Sequence, residues 1–201
     1  MAFTFTPCVA ADGTVFPGLQ LIQPRLFPDN RGLFFESYNE RDFAAAGLDV
    51  RFVQDNQSAS SQNVLRGLHF QSRHPQGKLV RVISGRVYDV AVDLRRGSPA
   101  FGRPFGVVLD GETCGQFYIP PGFAHGFFVL SASAVFAYKC TDFYHPEDEQ
   151  GLMWNDPLLA VDWASAAGGE FSPLLSEKDG AYPPFDPAGK YFRLDGTWEG
   201  A

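Results

Sequence analysis

Between residues 50 and 139 apolar and polar positions alternate in short runs, the pattern of half-buried strands rather than helices. The runs 50–55, 64–70, 78–84, 86–94, 105–109, 114–119, 124–130 and 134–139 are predicted as strands. Ser84-Gly85, Arg96-Gly97-Ser98-Pro99, Asp110-Gly111 and Pro120-Pro121-Gly122 separate them with residues that favour chain reversal. Short strands at such regular spacing predict a sandwich or barrel. One helix is predicted over 39–47, where Asn39 can cap the start, Asp42 follows three residues on and Gly47 stops it. Upstream, 15–38 alternates short apolar runs with turns, of which Pro28-Asp29-Asn30-Arg31-Gly32 is the clearest. After Tyr144 the alternation fades, 174–179 reads as a helical turn, and the tail beyond Tyr182 is rich in Pro and Gly. No repeat, low-complexity tract or linker divides the chain. Residues 1–201 are therefore predicted to form one all-β domain with a few short helices.

Two of these strands carry groups that an apolar interior resists. In Asn63-Val64-Leu65-Arg66-Gly67-Leu68-His69-Phe70, a guanidinium and an imidazole interrupt an apolar run. Burying both is costly unless they meet an anion or a partner. Residues i and i+3 of a strand face opposite sides, so a bulge is needed to bring Arg66 and His69 into one pocket. The residues alone leave His69 open as either a hydrogen-bonded core histidine or a site residue, with Arg66 a structural ion-pair partner in the first case. His125 lies in a second apolar, glycine-punctuated stretch, Pro120-Pro121-Gly122-Phe123-Ala124-His125-Gly126-Phe127. Lys78 leads one strand and Tyr138 ends another; by themselves they read as a solvated lysine and a packed aromatic.

Composition narrows the classes. Aromatics are abundant, with 20 Phe, which favours strands, and the formal net charge of −7 argues against a general nucleic-acid-binding surface. A local basic pocket for one phosphorylated ligand stays compatible with it. The 3 Cys have no paired spacing, no signal peptide is evident at the start, and no apolar run approaches a membrane span. A cytoplasmic protein is expected.

The 120–127 stretch resembles the second cupin motif, but no His-x-His pair accompanies it. A stable transition-metal site usually needs three or four protein ligands, so no metal is expected. No Gly-x-Gly-x-x-Gly fingerprint is present, and no cofactor is expected.

A wider set of motifs is collinear: 29–38 (Asp-Asn-Arg-Gly-Leu-Phe-Phe-Glu-Ser-Tyr), 52–56 (Phe-Val-Gln-Asp-Asn), 63–71, 76–81 (Gln-Gly-Lys-Leu-Val-Arg), 89–93, Phe101-Gly102, 119–127, Tyr138-Lys139 and Trp154-Asn155-Asp156-Pro157. Through these the chain resembles the dTDP-4-dehydrorhamnose 3,5-epimerases, metal-independent cupins of nucleotide-sugar metabolism, over roughly residues 20 to 180. The resemblance implies a cupin jelly-roll that forms a homodimer by N-terminal strand exchange. It implies His69 as general base, Tyr138 as general acid, Lys78 near the 4-keto oxygen and Asp179 as the acid that orients the histidine. Arg31, Glu36, Gln54, Asn56, Arg66, His125, Glu149 and Lys178 match positions that contact a dTDP-sugar. Where many members carry a tyrosine that stacks on thymine, this chain has Phe143, with Tyr144 beside it. Phe can still stack but lacks the hydroxyl.

The implied chemistry suits these residue types. C3 and C5 of a 4-keto-6-deoxyhexose flank the carbonyl, so each can lose a proton to a neutral imidazole, and inversion needs a proton returned from the opposite face. Rival readings are a relative that inverts one centre or takes a CDP-sugar, a non-catalytic sugar-binding cupin, and a metal cupin.

Overall fold

The computed structural model describes residues 2–169 and 171–200. Its elements, in chain order, are β1 (Phe3–Val9), β2 (Val15–Pro24), β3 (Phe27–Asp29), β4 (Gly32–Phe34), α1 (Glu40–Ala45), β5 (Gln54–Ser61), β6 (Leu65–Gln71), β7 (Lys78–Ser84) and β8 (Arg86–Asp93). There follow β9 (Pro104–Asp110), β10 (Gln116–Ile119), β11 (Phe123–Val129), β12 (Ser133–Cys140), β13 (Glu149–Gly151) and α2 (Trp163–Ala167). Short 3₁₀ turns form at Pro146–Asp148 and Asp179–Ala181. The larger sheets have the orders β1-β2-β10-β7-β12-β5 and β13-β6-β11-β8-β9, and β3 with β4 makes a separate hairpin. Two antiparallel sheets packed face to face, with crossovers between them, form the expected cupin jelly roll. No helix among the described residues is long and apolar enough to cross a membrane.

Apolar clusters fill both sides of the sheets. Phe16, Val80, Phe117, Phe127 and Phe136 pack between the two sheets. Leu65, Leu68, Phe70, Val90, Val92 and Phe128 turn the other way, against Leu152, Trp163 and the tail residues Tyr191 and Phe192. β11 is therefore buried along its whole length, which explains its nearly continuous apolar run. Helix α1, capped by Asn39 as expected, sets Phe43 on the outer face of the six-stranded sheet against Phe3, Ile22 and Tyr118.

Several predicted elements shift. The strand expected at 50–55 starts at Gln54 and runs through polar Gln-Asp-Asn-Gln-Ser-Ala-Ser-Ser, because β5 is an edge strand whose small polar residues alternate without an apolar signature. Instead of belonging to that strand, Val50 and Phe52 pack beside α1. The helical turn expected at 174–179 is displaced: Leu174 bridges Val64 as extended chain, and the turn forms at Asp179–Ala181. The Pro- and Gly-rich tail is packed too, with Phe192 fully buried.

The strand that carries Arg66 and His69 bends as the sequence required. Across the β6–β11 pair His125 faces His69 but Phe127 faces Arg66, so β6 holds one extra residue. Gly67 supplies it at φ +126°, and a Cβ there would lie 2.5 Å from the Cα of Gly126. Such contact between backbones has no flexible group to yield. Gly67→Ala is expected to lower unfolding stability by more than about 3 kcal/mol, read from urea denaturation of the variant beside the wild type.

Candidate active site

The bulge turns Leu65 and Leu68 together toward the tail side, and Arg66 and His69 together into the barrel mouth. There a cleft of about 270 Å³ opens between the sheets. The five-stranded sheet contributes Arg66, His69 and His125, and the six-stranded sheet contributes Lys78 and Tyr138, with Phe127 and Phe136 stacked at 4.2 Å in its wall. Glu149 and Tyr144 line it from the chain that follows β12.

His69 is oriented from behind. Its Nε2 meets Asp179 Oδ1, and the other carboxylate oxygen accepts the Ser176 hydroxyl at 2.8 Å. Burial alone raises the Asp179 carboxyl, but the bonds from His69, Ser176 and the Gly67 backbone outweigh it and hold the carboxyl below its usual range. An ionised carboxylate can only accept, so the ring's proton sits on Nε2 and Nδ1 keeps its lone pair.

His125 is a different kind of histidine. It is buried, and its Nε2 lies 3.0 Å from each oxygen of the fully buried Asp89. Burial pushes its pKa down, against the opposing pull of Asp89. Asp89 was legible by the same signal that marked His69, a charge inside an apolar strand.

The facing groups are a phenol and a lysine, both shifted by burial. Burial pushes the Tyr138 phenol up from its ordinary value, with Cys140 adding to the shift, so the hydroxyl keeps its proton at neutral pH. Burial pulls the Lys78 ammonium down, opposed by Cys140, Asp89 and Glu149. Gly77 pins the start of β7 through bonds with Thr141, N–H to Oγ1 at 2.7 Å and carbonyl to N–H at 2.9 Å. Among the described residues, neither Lys78 nor Arg66 takes part in an ion pair. Arg66 instead donates to the Ser60 hydroxyl from Nε and Nη2, both at 3.2 Å.

The remaining expected residues are distributed more widely. Glu149 accepts from the Lys178 ammonium at 2.8 Å and from the Tyr144 hydroxyl, which pushes that phenol up to about 12. Gln54 bonds Asn56 at 3.0 Å and accepts from the Tyr144 backbone at 2.9 Å, so this pair props the loop beside the cleft. Phe143 is exposed near the rim. Arg31 pairs with Asp29 on the β3–β4 hairpin and Glu36 accepts from Asn39, both outside the cleft within this one chain.

Sequence reasoning passed over the anchors behind the rim. Buried Gln71 donates to the carbonyls of His74 and Phe143 at 2.7 and 3.0 Å. Asp148, 1% exposed, accepts from Ser72, Arg73 and His74 at 2.7–3.0 Å. These tie the loop before β7 to the loop carrying Tyr144 and Glu149. An acid in a loop looks solvated until the fold closes over it. Among the described residues no group of three or more His, Cys, Asp or Glu is placed to hold a metal ion.

A jelly roll whose mouth sets a carboxylate-held imidazole on one sheet against a phenol and a lysine on the other is a cupin built around a polar cleft. The sequence pattern described as dTDP-4-dehydrorhamnose 3,5-epimerase matches residues 13–187. The enzyme of that name from Pseudomonas aeruginosa is 57% identical over 164 residues, 81% of this chain and 88% of its own length. A crystal structure of the 3,5-epimerase from Legionella pneumophila in complex with dTDP-4-keto-L-rhamnose superposes with a TM-score of 0.82 at 48% identity, covering 90% of this chain and 92% of that one. A 3′-monoepimerase from Streptomyces bikiniensis in complex with dTDP-quinovose is 32% identical with a TM-score of 0.76, covering 83% of each chain. The chain belongs to the dTDP-4-dehydrorhamnose 3,5-epimerase family.

Acid should loosen the site walls first. Burial raises the Asp148 carboxyl, yet its bonds from Arg73, Ser72 and His74 hold it far below the usual range. A carboxyl with a depressed folded pKa contributes stability fully above its unfolded value of about 3.9 and loses it as pH falls. Urea midpoints measured from pH 6 down to about 3 are expected to decline, and Asp148→Asn is expected to flatten that decline.

Proposed function

We propose that this protein inverts C3 and C5 of dTDP-4-dehydro-6-deoxy-D-glucose to give dTDP-4-dehydro-L-rhamnose. The observation that carries the reading is the convergence, in one cleft, of His69 backed by Asp179 on one sheet with Tyr138 and Lys78 on the other. His69 Nδ1 takes the proton beside the ketone, and Asp179 stabilises the imidazolium that forms. Charge then moves onto the 4-keto oxygen, where the Lys78 ammonium offers an unspent positive group. Tyr138 returns a proton from the opposite face, which inverts the centre. The ketone is regenerated, so no redox equivalent is consumed, and the family's chemistry calls for neither cofactor nor metal.

Arg66, exposed and without a carboxylate partner among the described residues, suits the pyrophosphate. Phe143 and Tyr144 at the rim offer faces for the thymine, with His125, Glu149 and Lys178 on the sugar side. Arg31 and Glu36 reach a cleft only in a homodimer. We take that homodimer to form by N-terminal strand exchange, with the exposed Phe27, Leu33 and Phe34 of the β3–β4 hairpin offering an apolar surface to the partner subunit. A nucleotide-sugar substrate and three free buried cysteines support a cytoplasmic location. The acidic chain is expected to bind neither nucleic acid nor membrane.

The test is turnover of dTDP-4-keto-6-deoxyglucose in heavy water, reading deuterium at C3 and C5 separately by NMR. Label at both carbons is expected; label at C3 alone would favour the monoepimerase reading, which the Streptomyces bikiniensis relative keeps in view. His69→Ala is expected to lose about 10²–10⁴-fold in exchange at both carbons. Tyr138→Phe is expected to keep exchange but lose inversion. A His69→Ala enzyme that still exchanged at the wild-type rate would remove His69 as the base.

A further inference from the structure

Tyr182 has no part in the chemistry just described, yet it touches two of the residues that do. Its ring packs against the His69 imidazole in an edge-to-face arrangement, centroids 5.6 Å apart at 66°. Its hydroxyl donates to Glu149 Oε1 at 3.2 Å. Burial raises the phenol above its ordinary value and the Glu149 charge adds to this, so it stays a donor. Between the two contacts the ring covers Gly151, which sits directly across from His69 in the β13–β6 pair. A Cβ on Gly151 would lie 2.4 Å from the ring, so the missing side chain is what makes room for it.

The 3₁₀ turn gathers these contacts in a few residues. Ser176 holds Asp179, Asp179 holds His69, Lys178 holds Glu149, and Tyr182 reaches both His69 and Glu149. Just beyond it, the Pro183 carbonyl accepts the Met153 N–H at 2.8 Å and anchors the segment to the chain following β13. Asp179 restrains the imidazole through one nitrogen only, about which the ring can still swing. A second ring packed edge-to-face against the imidazole removes that freedom.

We propose that Tyr182 is a positioning residue: it holds the imidazole of His69 in register with the carboxylate of Glu149, so that base and substrate contact are aligned as a unit. This rests on the reading of His69 as the base. The ring sets the base and bears on kcat; the hydroxyl sets Glu149 and bears on KM.

Three single variants, one double variant and two readouts, steady-state kinetics and ¹⁵N NMR, test it. Tyr182→Ala is expected to lower kcat about 10–100-fold, the scale of a misaligned reacting group. Tyr182→Phe, which restores the ring without the hydroxyl, is expected to recover most of that kcat while KM stays raised about 3–10-fold, the loss of one bond to a charged group at a partly exposed site. Gly151→Ala pushes the ring from its seat and is expected to reproduce the Tyr182→Ala defect, with the double variant no worse than either single one. Independently of turnover, ¹⁵N NMR of the His69 ring in the substrate-free protein is expected to show shifted and exchange-broadened ring signals in Tyr182→Ala and Gly151→Ala, with the Nε2–H tautomer set by Asp179 retained, and wild-type signals in Tyr182→Phe. Unchanged His69 signals together with an unchanged kcat in Gly151→Ala or Tyr182→Ala would overturn the proposal. If Tyr182→Ala does not fold, Gly151→Ala and Tyr182→Phe decide it by the same measurements. A wild-type protein inactive on the dTDP-sugar would instead count against the proposed function, and the NMR comparison would still judge the positioning role.

Discussion

The close approach of β6 to β11 at Gly67 and Gly126 is the constraint on which the rest of the site depends. A regular strand would send Arg66 and His69 to opposite faces of the sheet. One extra residue at Gly67 breaks that alternation, so Leu65 and Leu68 share one face and Arg66 and His69 the other. Two glycines face to face are needed because any side chain at Gly67 would collide with backbone. The apolar pair then anchors the strand against the tail, and the polar pair opens into the cleft.

Around that bulge, two kinds of polar group can be distinguished. His125 with Asp89, His69 with Asp179, and Glu149 with Tyr144, Tyr182 and Lys178 satisfy one another inside the protein. Their function is to hold geometry, and their desolvation is offset by short hydrogen bonds. Lys78 and Arg66 are different, since their charge is not matched by an ion pair among the described residues. A group left so is poised to meet charge that arrives with a substrate or develops during a reaction. The cleft thus joins an imidazole held from behind to two basic side chains without an ion-pair partner among the described residues.

Much of this was legible because apolar context makes a charge conspicuous. His69, Arg66 and His125 stood out within strands, and their family pattern supplied Lys78, Tyr138 and Asp179. The central strands were read to within a few residues, since burial on one or both faces leaves a strong periodic signal. β5 was not, because an edge strand of small polar residues has no such signal. Asp148, Gln71 and Tyr182 were invisible for a related reason: each lies in, or bonds to, irregular chain, and its partners are more than thirty residues away apart from local turn contacts. Arg31 and Glu36 stand apart, matched by sequence pattern but not gathered into this chain's own cleft.

By itself the sequence determined the strand-rich class, the family resemblance, and which ionisable residue types were available to a site. The class follows from local composition and spacing, which act over a few residues along the chain, and the family from the resemblance carried by its collinear motifs. Only the tertiary structure decided which of these groups meet. It closed two sheets so that His69 and Tyr138 line one cleft, turned Asp179 from the far end of the chain onto His69, and set Tyr182 between His69 and Glu149. Such meetings depend on long-range strand pairing and on where a glycine leaves room, and neither is written in the alternation of apolar and polar residues.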